Sequence, residues 1–262
     1  MLLDKATGEY KAYYRNGPHH RAGADVSFND IMKIFGFRTA TVGAWVTPHE
    51  QQIAANLFFD ALCDLMAILR VPKQVISLKG SLSIAFGSGG QKHASAHYNA
   101  VSRTLALAKN AGAGSLSHEW FHAFDHFIST RAFQHVTKQD FASQCWLDNK
   151  VLIQHPINQH LASCYQHIFL QQNSAEPSKL FIDSSAADKA NKIYYYSRPQ
   201  EMSARAFEAF VQDQSLKNAF LVKGTKQSVE AKLGIYPQGQ QRADVSEAFA
   251  RYFAALGQAV EP

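Results

Sequence analysis

The five residues HEWFH, His118 to His122, constrain this chain more than any other stretch. On an α-helix, positions four apart lie about 40° apart around the axis, so His118 and His122 point to one side and can share a metal ion. Glu119 sits about 100° further round, where it can reach a water on that ion as general base. The preceding stretch NAGAGSLS, Asn110 to Ser117, is small and polar and offers Ser115 or Ser117 as an N-cap. Leu116, Trp120, Phe121, Phe124, Phe127 and Ile128 make the helix a buried one. Asp125 projects from the same side and can accept the outer N–H of one imidazole, fixing the tautomer that binds metal. The competing reading is two satisfied core histidines beside a buried acid; the helix start and the placement of Asp125 favour the metal.

A catalytic zinc takes three protein ligands and keeps one open position. The third histidine of an HExxHxxGxxH protease would fall on Ile128, which cannot bind metal. The best carboxylate lies in YYYSRPQEMSARAFEAF, Tyr194 to Phe210. There Ser197 and Gln200 have capping-box spacing and Pro199 suits a first turn. Glu201 stands just inside a helix whose Met202, Ala206, Phe207 and Phe210 can pack inward. Glu208 is the runner-up, and an intrahelical ion pair with Arg205 is the alternative role for these acids.

HEWFHAFD followed by EMSARAFEAF resembles the glutamate-type zincins, the gluzincins, particularly those like the anthrax lethal factor catalytic domain. The stretch from LSIAFGSGG at Leu82 through AHYN and TLALAK to HEWFHAFD resembles the zincin-like domain of bacterial large polyvalent proteins of phages and plasmids, and the CLCA_X family. Together these resemblances span Gly43 to Val211. They imply an α+β zincin-like fold with a mixed twisted sheet, a helix carrying HExxH and a later helix carrying the third ligand. They also imply Zn2+ as cofactor, His118, His122 and Glu201 as ligands, Glu119 as general base and Asp125 supporting a ligand. The family places a tyrosine near the scissile carbonyl shortly before the third ligand; Tyr194, Tyr195 and Tyr196 cover that place, with Tyr195 the first choice. The interval from His122 to Glu201 is longer than in compact gluzincins.

Upstream, Thr47, Pro48 and Glu50 form the start of a long helix ending near Arg70, before Pro72. Short β-prone runs follow at Gln74 to Leu78, Leu82 to Phe86, Ala96 to Asn99 and Thr104 to Ala108. Ala94 to Asn99 is the expected sheet edge, able to align an extended peptide. Residues 131–192 read as a helical insertion, with a helix from Pro156 to Gln172 and a short strand near Leu180 to Asp183. Residues 213–262 read as a helical extension in which Asp244 and Glu247 start a helix that stops at Gly257. The whole is expected to form one domain.

With 46% hydrophobic and 18% charged residues, a chain of 262 residues can bury a full core, which excludes disorder. No apolar run in the sequence reaches the roughly 20 residues a membrane helix needs, and MLLDKATGEY lacks a secretory signal, so a cytoplasmic location and no membrane partner are expected. Cys63, Cys145 and Cys164 have no CxxC spacing and read as free thiols in a reducing compartment. His19, His20, His93 and His126 are given ordinary surface or core roles; His97, on the expected edge, is the one to watch. A net charge of +5, with Lys217, Lys223, Lys226, Lys232, Arg242 and Arg251 late in the chain, makes nucleic acid the alternative partner. No nucleic-acid motif accompanies that charge. The expected activity is therefore a zinc metallopeptidase, an endopeptidase acting on a protein or peptide substrate, with a non-hydrolytic zincin-like scaffold as the other alternative.

Overall fold

The computed structural model describes residues 13–88, 96–108 and 114–260. Residues 94 and 95 of the expected edge, His93, and residues 110–113 before the HEWFH helix lie outside the described residues. The described residues build a mixed α+β structure with a four-stranded mixed sheet and ten helices. They divide into two compact units, one formed by the described residues within 13–123, 214–223 and residue 260, the other by residues 124–213 and 224–259.

The first unit opens with α1, Phe28–Phe35, capped by Ser27 and Asp30 in a reciprocal capping box. β1, Ala40–Val42, is a strand that the sequence reading did not anticipate. α2, Pro48–Leu69, runs as expected from the Thr47 and Glu50 capping box to Arg70 in the left-handed conformation. By length and composition alone it could cross a bilayer, a test that the buried core helix of a soluble protein also meets. Its Asp64 is fully buried, however, and accepts from Arg15 Nε at 2.6 Å and from Asn218 Nδ2 at 2.8 Å, so the helix serves the unit as a core element. His20 Nε2 lies 2.8 Å from the same carboxylate.

The run expected as a strand at Gln74 to Leu78 is instead α3, Lys73–Ile76, followed by a turn. A short apolar run does not distinguish strand from buried helix by periodicity, and here Pro72 starts a helical turn. β2, Ser83–Phe86, β3, Ala96–Asn99, and β4, Thr104–Leu107, lie where expected. The sheet order is β1-β2-β4-β3, with β1, β2 and β4 parallel and β3 antiparallel to β4, so β3 is an edge strand. Phe28 stacks on Phe86 at 5.5 Å and meets Phe58 at 6.0 Å, closing the helices over the sheet.

α4, Leu116–Ala132, contains HEWFH and crosses from the first unit into the second between Ala123 and Phe124. Its start is held by backbone bonds, from Gly114 N–H to Phe220 at 3.1 Å and from Ser117 N–H to Leu221 at 3.1 Å. Gly114 has φ +101°, and a Cβ there would come within 2.8 Å of the Lys223 nitrogen, so only glycine fits. Ser115 occupies the cap position, its carbonyl accepting from Glu119 N–H at 3.2 Å. Ser117 lies inside the first turn, its hydroxyl buried.

The second unit continues with α5, Ala142–Leu147, α6, Pro156–Phe169, and α7, Lys179–Asn191. The expected strand at Leu180 to Asp183 is part of α7, because Ser178 caps the helix by accepting from Phe181 N–H. α8, Pro199–Asp213, is flanked by α5, α6 and α7. α9 is Val229–Lys232, and α10, Gly239–Val260, starts before Asp244 and runs through Gly257, longer than its cap residues suggested. Packing explains the extension: Phe249 and Phe253 meet Phe207 at 5.6 and 5.7 Å, and Phe253 meets Phe124 at 5.3 Å.

Candidate metal centre

In the first turns of α4 the two histidines converge. His118 Nε2 and His122 Nε2 are 2.9 Å apart, with the rings nearly perpendicular at 82°. His122 is buried and His118 half-buried. The neighbouring Glu119 turns its carboxylate to the sheet edge, where Oε2 accepts from the Tyr98 N–H of β3 at 2.7 Å. Burial pushes the Tyr98 phenol up to about 12, so that side chain stays neutral across the working range. The Tyr98 contact is absent from the sequence reading, since it joins residues 21 apart through a backbone amide that any residue could supply.

Glu201 is buried in the first turn of α8, and its Oε2 accepts from Arg205 Nη2 at 3.2 Å. The ion pair anticipated as an alternative is therefore present. Arg205 does more than pair: its Nη1 donates to the Tyr196 carbonyl at 3.1 Å, and its guanidinium lies 5.2 and 5.1 Å from the Tyr195 and Tyr196 ring centres. From the other side, Asp188 accepts the N–H groups of Tyr195 and Tyr196 on Oδ1 and those of Ser197, amide and hydroxyl, on Oδ2. Burial drives the Asp188 carboxyl up, and these hydrogen bonds outweigh it, leaving it below the usual carboxylate range. Ser197 thus serves Asp188, not the capping box expected with Gln200. Tyr194 and Tyr195 are exposed and Tyr196 half-buried. Glu208 accepts from the Tyr236 hydroxyl at 3.2 Å.

Asp125 is fully buried in α4 and accepts from Ser143 N–H at 2.9 Å, from Ser143 Oγ at 2.5 Å and from Tyr165 Oη at 2.7 Å. Burial, then the charge of Asp125, hold the Tyr165 phenol far above its ordinary value, keeping it a donor. His126 Nε2 lies 2.7 Å from the Lys138 carbonyl, a satisfied core histidine.

His118, His122 and Glu201 each offer one ligand atom, and these atoms lie within 4.8 Å of one another. Glu208 is outside this group. Two imidazoles and a carboxylate are a donor set that suits zinc. Donors sharing a tetrahedral zinc at about 2.0–2.1 Å stand roughly 3.3 Å apart, close to the separation of the two imidazole nitrogens. The two imidazoles thus have the spacing of a shared ion, and Glu201 offers a carboxylate oxygen within 4.8 Å of them.

The chain is similar to large polyvalent protein-associated domain 1 over residues 187–260. No curated protein and no solved structure matches it. The similarity covers α8, α9 and α10, with Glu201 and Arg205, and leaves HEWFH outside. It links the chain to polyvalent proteins, as the sequence suggested, but through a different stretch from Leu82 to HEWFHAFD, and it does not extend to a zincin assignment.

Burial pushes the three thiols up, Cys63 to about 12 and Cys145 to about 11, with Cys164 raised as well. All three are free, buried and poor nucleophiles. Of the late cationic residues, Lys226 and Arg242 both pair with Asp213, and Arg251 pairs with Glu247.

Proposed function

We propose that the chain is a zinc-dependent endopeptidase with a zincin-like fold, in which His118, His122 and Glu201 hold the ion. The observation that supports this reading is the grouping of those three donor atoms on residues of HEWFH and of the later acidic helix. Zinc, when bound, lowers the pKa of a coordinated water and polarises the scissile carbonyl. Glu119 is anchored through Oε2 on the β3 edge, which leaves Oε1 to take the water proton. The same oxygen then delivers it to the leaving amine, so peptide and water become a carboxylic acid and an amine, and the acid's remaining proton passes to the amine to give carboxylate and ammonium. Tyr195, held by Asp188 at its amide and by Arg205 at its ring, is assigned to stabilise the oxyanion. Asp125, rigidly held by Ser143 and Tyr165, is assigned to orient a ligating imidazole. The substrate class is protein or peptide, aligned along β3, and buried free thiols support a cytoplasmic setting.

Metal analysis combined with a peptide-library cleavage assay tests the reading. Wild type should carry zinc and cleave, Glu119→Gln should keep zinc and lose turnover, and His122→Ala should lose both. A folded, zinc-free wild type refutes the proposal; zinc without cleavage of any peptide replaces it with the non-hydrolytic scaffold. The nucleic-acid alternative is disfavoured by the pairing of Lys226, Arg242 and Arg251 with acids.

A further inference from the structure

Within the first unit lies an open cavity of about 460 Å³ whose charged lining residues are Lys33, Lys73 and Lys79. We propose that it binds a phosphate-bearing small molecule of roughly nucleotide size. No carboxylate lines it, and none of the three lysines is ion-paired among the described residues. The acid closest in sequence, Asp30 on α1, is hydrogen-bonded by Ser27 and also feels the charge of Lys33, without forming an ion pair with it. The three exposed lysines offer positive charge to an anion entering that space.

Ser77 adds an independent sign. The residue is 2% exposed, it lines the cavity, and its hydroxyl has no hydrogen-bond partner among the described residues. That hydroxyl faces the cavity and can donate to a phosphate oxygen there. The backbone beside it is also unusual: Leu78, Lys79 and Gly80 have φ of +53°, +53° and +74°. Bonds from Gly80 N–H to Ser77 and from Ser81 N–H to Leu78, both 3.1 Å, close a left-handed turn that sets Lys79 on the cavity wall. L-residues avoid that conformation unless the surroundings impose it. The space falls in the size range of small-molecule sites and exceeds what a lone phosphate fills. Ile34 and Val260 supply an apolar wall for the remainder of the ligand.

Calorimetric titration of the full chain with ADP and with inorganic pyrophosphate, at near-physiological salt, tests this. Saturable binding of ADP at a single site is expected. Lys33→Gln and Lys73→Gln should each weaken it about tenfold, the loss of one charge-assisted contact, and Ser77→Ala a few-fold. Lys189→Gln on α7, away from the cavity, should change nothing, and thermal melts verify that each variant folds. Absence of saturable binding by either probe overturns the proposal, as does an equal loss in Lys189→Gln. Tight binding of a single-stranded oligonucleotide that neither probe displaces also overturns it, assigning the lysines to a nucleic-acid backbone. The result is independent of zinc.

Discussion

Replacing Arg205 with methionine isolates what the buried guanidinium does. Side-chain exposure is 5% for Arg205 and 11% for Glu201, so solvent screens their contact little. Removing one partner of such a pair leaves an uncompensated buried charge and costs about 3–5 kcal/mol. The lost hydrogen bond to the Tyr196 carbonyl and the two ring contacts act in the same direction. We therefore expect a loss of about 4 kcal/mol in chelator-treated protein, which for a chain of this size lowers Tm by roughly 10 °C. Adding Glu201→Gln to Arg205→Met should recover part of the loss, since no charge then remains unpaired, and a urea-denaturation double-mutant cycle measures that coupling. Excess zinc should also shrink the deficit, because the ion replaces the guanidinium as counter-charge and stabilises by mass action. A cost below about 1 kcal/mol would refute the buried-pair argument. A full cost unchanged by zinc would leave the pair intact and remove Glu201 from the ligand set.

Further outcomes are expected elsewhere. Asp125→Ala orphans the Ser143 amide, the Ser143 hydroxyl and the Tyr165 hydroxyl, so calorimetry should register a loss of about 3 kcal/mol or more; a near-neutral result contradicts the described network. The Asp188 carboxyl is depressed in the folded state, so its stabilisation is present above the unfolded value of about 3.9 and fades as pH falls through the lower folded value. Asp188→Asn should flatten the acid side of the stability profile, and an unaltered profile would count against the tyrosine turn as described. In the cleavage assay Tyr195→Phe should reduce kcat by about tenfold to a hundredfold while Tyr194→Phe does not; the reverse pattern moves the oxyanion role. With thiols raised by burial, native protein should react with iodoacetamide far more slowly than unfolded protein at the same pH.

Periodicity and caps announced the elements that carry the candidate site. The HEWFH helix, the acidic helix after Pro199, the long helix from Pro48 and three of the four strands all lie where apolar spacing and capping residues put them. The misplaced elements share a cause. Gln74 to Leu78 and Leu180 to Asp183 are too short for spacing to separate helix from strand, and Pro72 and Ser178 settled them as helix starts. α10 outran its apparent caps because Phe249 and Phe253 are buried against aromatic side chains from α4 and α8. Asp188 was not legible as a partner of Tyr195 to Ser197, since a carboxylate meeting several backbone amides leaves no signature of residue type.

Local chemistry written along the chain was enough to single out His118, His122 and Glu201 as a candidate donor set and Glu119 as its proposed base, because helical spacing and helix starts are short-range properties. Only the folded chain decided the surroundings of those groups: Glu119 against the Tyr98 amide, Arg205 joining Glu201 to two tyrosines, Asp125 caught between Ser143 and Tyr165, and three lysines from separate segments around one cavity. Such contacts join residues far apart in sequence, and burial, not spacing, makes them strong.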